Sequence, residues 1–181
     1  MIFINNYNVI KSDLVFKGKV IDIFHDTITL PNGKEALREV AVHRGASAIV
    51  PVDSNGNIIL VRQYRHPIKK EVLEIPAGVL EKGEDFKTAA LRELEEEIGY
   101  KAKDAVFLTS LNTSLGFCDE VIYIYLADNL EKSVQNLDEE EFITVEKFSL
   151  QTVLDMIMSG KITDAKTIAG ILIYNQILNN K

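Results

Sequence analysis

The stretch from Asp85 to Ile98 leaves little choice of local structure, because Phe86, Ala90, Leu94 and Ile98 recur every four residues and Gly99 follows them. That interval predicts a helix buried along one stripe and stopped at Gly99. At about 100° per residue, Glu93 and Glu97 stand one turn apart on an adjoining face, with Glu96 beside them. Like charges at this spacing destabilise a helix by roughly a few tenths of a kcal/mol per pair. Arg92 offsets part of this by pairing with Glu96, or with Glu84 in the preceding loop. A divalent cation offsets more, since hard oxygen donors on a rigid element suit Mg2+ or Mn2+. A Glu-rich helix is more often a solvated acidic face. Here, however, the loop from Gly78 to Gly83 precedes it and allows backbone to approach a ligand closely.

Around this helix the chain alternates β segments and turns. Residues 15–43 read as an antiparallel pair, with Val20, Ile21, Ile23, Phe24, Ile28 and Leu30 before the Pro31-Asn32-Gly33 turn and Leu37, Val40 and Val42 after it. A second hairpin is expected between Ala48–Val52 and Ile58–Val61, through Asp53-Ser54-Asn55-Gly56. A short strand over Val72–Ile75 runs into Pro76-Ala77-Gly78, and further strands fall at Val106–Leu111, Val121–Ala127 and Phe142–Phe148. Helices near Leu150–Met158 and Ala165–Leu178 end the chain, with Ser149 and Asp164 as N-caps. Sheet elements flanked by central and terminal helices imply an α+β or α/β/α layered domain over 44–181. Residues 1–43 are separable as a small N-terminal antiparallel β appendage.

Composition bounds the function. A chain of 181 residues fits one domain with an appendage. The single Cys118 excludes an intramolecular disulfide and suits a reducing cytoplasm. The opening residues MIFINNYNVIKSD lack the basic and apolar regions of a secretory signal, and no stretch approaches roughly 18 uninterrupted apolar residues. A cytoplasmic protein without a membrane partner is expected. The net charge of −7, from 20 basic and 27 acidic side chains, opposes generic nucleic-acid binding. A small anionic substrate remains possible where a metal ion and a few arginines screen it.

The segment GVLEKGEDFKTAALRELEEEIGY sets Gly78, Glu84, Arg92, Glu93, Leu94, Glu96, Glu97 and Gly99 at fixed intervals. This pattern resembles the Nudix box of the Nudix hydrolases. Leaving aside Leu94, where any aliphatic residue fits, chance would produce the other seven matches at a rate on the order of 10⁻⁸ per starting point. Tyr100 stands where that family prefers an aliphatic side chain, a change of packing and not of chemistry. The resemblance implies a Nudix-like α/β/α sandwich with a mixed sheet. It also implies Mg2+ or Mn2+ as cofactor, held by Glu93, Glu96, Glu97 and the carbonyl of Ala77. Glu84 and Arg92 would be the ion pair bracing the loop, with Gly78 and Gly99 as structural glycines. Neutralising a diphosphate and activating water is work that clustered metal ions do.

The likeness extends to ILVRQYRH at Ile59–His66, LEIPAG at Leu73–Gly78 and DAKTIAG at Asp164–Gly170, so from about Arg38 the chain is similar to ADP-ribose pyrophosphatases. That similarity implies cleavage of ADP-ribose to AMP and ribose 5-phosphate by a metal-activated water. Arg65 would contact the diphosphate and Glu74 the adenine or ribose end, with Arg38, Gly116 and Phe117 as further substrate-binding residues. It also implies a homodimer built through the N-terminal appendage. One departure is Ser114-Leu115-Gly116-Phe117, where the subfamily carries proline in the second position; this frees the backbone and places an apolar side chain near the substrate.

The general base would come from the acidic loop Asp138-Glu139-Glu140-Glu141, with Glu139 first and Glu141 second; Glu96 or Glu120 follows should neither serve. A solvated acidic turn is the bland alternative. His25, His43 and His66 lack zinc-site spacing and read as surface or hairpin residues, and Cys118 reads as a small loop residue. Two other functions stay open: a pyrophosphatase for another nucleoside diphosphate compound, such as a nucleotide sugar or dinucleotide, and a non-catalytic sensor that binds ADP-ribose.

Overall fold

The computed structural model describes residues 7–180, and the chain divides into two compact units. One unit comprises the chain up to Gly45 together with Asn112–Val121. Its strands β1 (Asn8–Lys17), β2 (Ile21–Thr29) and β3 (Glu35–His43) form an antiparallel sheet in that order. The expected strand pair is therefore a three-stranded sheet, and the added strand has its signal in the turn after it. A Cβ on Gly18 would lie 2.3 Å from the carbonyl oxygen of Ile21, while the Gly18 N–H donates to Asp22 Oδ1 at 3.0 Å. Only glycine closes that turn. The Pro31-Asn32-Gly33 turn joins β2 to β3 as expected, with Thr29 opposite Glu35 and Gly33 at φ 80°. All of β1 is exposed, including Val9, Leu14 and Phe16. The loop over 113–120 is tied to β3 through the Ala41 N–H, which donates to the Phe117 carbonyl, and the Asp119 N–H, which donates to the Ala41 carbonyl.

The other unit holds β4 (Ala46–Pro51), β5 (Asn57–Arg65), β6 (Lys70–Glu74), β7 (Ala77–Val79), α1 (Phe86–Ile98), β8 (Tyr100–Lys101) and β9 (Val106–Asn112). It continues with β10 (Val121–Ala127), β11 (Glu131–Lys132), β12 (Thr144–Ser149), α2 (Leu150–Met158) and α3 (Ala165–Asn179). One sheet runs β7-β4-β10-β9, with β4 parallel to β10 and antiparallel to β7; it is mixed, as expected. A second runs β12-β5-β6, and β8 pairs with β11.

The expected hairpin of β4 and β5 is not formed beyond a single bridge, Val52 to Ile58, after which the strands enter different sheets. The burial explains it. Every residue of β4 is buried, as are Ile58 to Val61 of β5, so each strand needs partners on both edges and cover on both faces. A two-stranded hairpin supplies neither.

Alternation along these strands separates two cores. Ala48, Val50, Ile58 and Leu60 pack with Val153 of α2 and Ile171 of α3. Ile49, Ile59 and Val61 pack with Ala90, Leu94 and Ile98 of α1. The sheets thus lie between α1 on one side and α2 with α3 on the other, an α/β/α arrangement in the α+β class. The expected caps are present: Ser149 and Asp164 start α2 and α3, and Gly99 ends α1 at φ 68°. Two boundaries differ from expectation. Pro76-Ala77-Gly78 does not end the sheet, because Ala77 begins β7 opposite Ala48. Phe142 is 85% exposed and precedes β12, which starts at Thr144.

Candidate active site

The acidic helix is anchored at both ends. The Asp85 carboxylate accepts the Lys87 and Thr88 N–H groups, and Ser47 Oγ of β4 donates to the Phe86 carbonyl at 2.6 Å. At the other end, carbonyls that an α-helix leaves unpaired are met by the segment that follows β11. The Ser133 N–H donates to Gly99, Gln135 Nε2 to Glu97 and the Asn136 N–H to Glu96.

Burying the Ala90–Leu94–Ile98 stripe turns Glu93 and Glu97 inward, leaving them 8% and 2% exposed. Glu97 Oε2 accepts the Ala77 N–H at 3.0 Å. Glu93 lies directly over Gly78, where a Cβ would stand 1.8 Å from Glu93 Oε1. Gly78 thus leaves room for the Glu93 carboxylate, which a side chain there would displace, and it does so without a left-handed backbone. Arg92 joins the rest: Nε and Nη2 hold Glu84 at 2.9 and 3.0 Å, and Nη1 donates to both Glu93 and Glu96 at 2.7 Å. The expected Glu84–Arg92 brace is present in bidentate form, and Nη2 also reaches the Val79 carbonyl.

Electrostatics separates these carboxyls. The Arg92 guanidinium holds Glu84 below its usual range. Burial pushes Glu93 up to about 7 although Arg92 opposes it, and the charges of Glu96 and Glu141 add to the rise. Burial together with the Glu93 charge pushes Glu97 up to about 8 against the Ala77 hydrogen bond. Two buried carboxyls that repel each other, with Glu96 beside them on α1, offer oxygen donors of the kind a hard divalent cation takes. Among the described residues no three acidic, histidine or cysteine side chains already converge on one point. Glu93 and Glu96 instead share Arg92 Nη1.

Arg65, at the end of β5, donates through Nε and Nη2 to both oxygens of Glu74 at 2.8 Å. Glu74 is 2% exposed and also receives Lys166 Nζ, so three protein N–H donors meet its carboxylate. Burial pushes Glu74 up, but the Arg65 hydrogen bonds and the Lys166 charge outweigh it and hold the group below the usual range. Lys166 was not singled out from the sequence. Its signal is a lysine on the first turn of a terminal helix of otherwise apolar character, directly after the Asp164 cap.

In the acidic loop, Glu141 folds back on Asp138, accepting the Asp138 N–H while its own N–H donates to the Asp138 carbonyl. The charge of Glu141 is among those that raise Glu93 and Glu97. Glu139 is exposed.

Arg38, Gly116 and Phe117 belong to the other unit. There Arg38 is exposed, with Nη1 donating to the Leu37 carbonyl, and Phe117 and Leu115 are 61% and 83% exposed. His25 faces Glu39 across the hairpin, and His66 opens a short 3-10 turn. His43 is a hairpin residue, the last of β3, with its side chain largely buried beside Glu120.

The chain belongs to the Nudix hydrolase family, whose NUDIX domain model matches residues 42–170. Members of this family generally use divalent metal ions. Within the family it is ADP-ribose pyrophosphatase-like. It is 44% identical to an ADP-ribose pyrophosphatase of Bacillus subtilis over 160 residues, 87% of this chain and 86% of that protein. It is 34% identical to an ADP-ribose pyrophosphatase of Mycobacterium tuberculosis, over 96% of this chain and 85% of that protein. A methanol dehydrogenase activator of Bacillus methanolicus is 42% identical, over 90% of this chain and 89% of that protein. The crystal structure of an ADP compounds hydrolase, at 22% identity, has the same fold, with a TM-score of 0.88 over 99% of this chain and 98% of that one. No helix among the described residues is long and apolar enough to cross a membrane.

Proposed function

We propose that this chain hydrolyses the diphosphate linkage of ADP-ribose, giving AMP and ribose 5-phosphate. The observation that carries the reading is the buried pair Glu93 and Glu97 against Ala77 and Gly78, in a chain 44% identical to an ADP-ribose pyrophosphatase. Glu93, Glu96, Glu97 and the Ala77 carbonyl are the groups to hold Mg2+ or Mn2+, which when bound neutralises phosphate charge and lowers the pKa of water. Arg92 keeps the loop that carries Glu84 closed on α1. Arg65, half-exposed and fixed along one edge by Glu74, presents its other edge to the diphosphate. Glu141 takes the proton of the attacking water, in preference to Glu139, because its charge already bears on Glu93 and Glu97. Glu74 acts through Arg65, which it holds by both oxygens.

Residues 1–43 serve as a dimerisation appendage to the hydrolase domain at 44–181, and Arg38, Gly116 and Phe117 bind substrate. The uncovered Val9, Leu14 and Phe16 of β1 support the homodimer, and the lone Cys118 supports the cytoplasm as its compartment. AMP release measured over ADP-ribose, nucleotide sugars and dinucleotides, with Mg2+ and with Mn2+, tests the reading. Turnover of ADP-ribose above the others is expected; preference for another diphosphate overturns the substrate. The likeness to a methanol dehydrogenase activator supports a second reading, in which the chain regulates another enzyme. Tight binding of ADP-ribose without cleavage would favour a regulatory role alone.

A further inference from the structure

We propose that Lys166 is a positioning residue for substrate binding, acting through Glu74 to aim the guanidinium of Arg65 at the diphosphate; this rests on the reading that Arg65 binds that group. Lys166 lies in the first turn of α3, only 7% exposed. A cation at a helix N-terminus opposes the helix dipole, so helix stability does not explain it there. Its amine meets two carboxylates instead, Glu74 Oε2 and Asp164 Oδ1, the latter at 3.1 Å.

Glu74 in turn grips Arg65 through Nε and Nη2. That fork fixes the guanidinium plane and leaves Nη1 without a protein hydrogen bond among the described residues, on a side chain 42% exposed. With Arg65 as its sole partner, Glu74 would absorb most of the guanidinium charge. The second cation shares that carboxylate and leaves Arg65 more positive charge for an anion. The same turn of α3 also holds the backbone beside Glu74: Thr167 Oγ1 accepts the Ile75 N–H at 2.8 Å and donates to Asp164 at 2.6 Å. Glu74 and Lys166 are both buried, so few other partners compete for either.

The test is a kinetic double-mutant cycle on ADP-ribose in the full-length protein, with Lys166→Met, Arg65→Ala and the double variant. Lys166→Met is expected to raise KM about ten-fold with little change in kcat, and to add nothing further once Arg65 is alanine. Lys166→Gln, which keeps N–H donors without the charge, carries the same cycle if the methionine variant does not fold. Lys166→Arg should recover much of the parent KM. A Lys166 effect that persists undiminished in the Arg65→Ala background overturns the relay. Arg65→Ala with a parent-like KM overturns instead the reading of Arg65 on which the relay depends.

Discussion

The N–H of Ala77 donates a 3.0 Å hydrogen bond to Oε2 of Glu97, so that β7 and the acidic helix meet at one buried carboxylate. This contact sets the Ala77 backbone beside the side chains proposed to hold the metal. Glu97→Gln keeps the shape and an acceptor for that N–H but removes a charge. Turnover should fall by several orders of magnitude while circular dichroism and thermal midpoint stay near the parent's. Near-normal turnover at saturating Mg2+ would remove Glu97 from the metal set.

Gly78→Ala tests whether room over that residue matters. The added Cβ would overlap Glu93 Oε1, so the carboxylate or β7 must move. Overpacking of this kind costs about 1–3 kcal/mol, and the displaced carboxylate should weaken metal binding. Calorimetric titration with Mn2+ should show the loss. Unchanged affinity would mean that Glu93 is free to turn elsewhere.

The two loop acids are separable by kinetics. Glu141→Gln should lower kcat by about 10²–10⁴-fold with KM near the parent's, whereas Glu139→Gln should turn over normally. The reverse pattern would give the base to Glu139, and two normal variants would move it to Glu96 or Glu120.

The Glu74 network should also shape acid stability. Its folded pKa lies below the ordinary 4.5, so its contribution is complete above that value and is lost as pH falls through the lower, folded value. Glu74→Gln removes the anion between two buried or half-buried cations and should cost about 3–5 kcal/mol at neutral pH. Urea melts of parent and variant should draw together as pH falls from the ordinary carboxyl value through the lower, folded one. A constant gap across that window would mean that folding does not shift the Glu74 pKa.

The exposed apolar side chains of β1 predict assembly. Light scattering at micromolar concentration should give a dimer mass, and Phe16→Asp should shift it towards the monomer. A parent that is monomeric and fully active would contradict the dimer.

What the sequence determined by itself was the local layer. The four-residue recurrence from Phe86 to Ile98, the Gly99 stop and the Asp164 and Ser149 caps are short-range patterns, and the helices formed where they point. The box spacing likewise set Glu93, Glu96 and Glu97 on one side of α1, because helical periodicity alone does that. Everything that depends on partners remote in the chain was decided by tertiary structure. The burial of β4 and β5 on both faces sent them to different sheets, although the turn between them looks like a hairpin. Glu139 and Glu141 are equivalent as letters, and it takes the folded loop to bring the Glu141 charge to bear on Glu93. Lys166 and Glu74 lie 92 positions apart, and no local pattern pairs them. They meet because α3 packs its first turn against the end of β6, where two buried charges must find each other or not be buried at all.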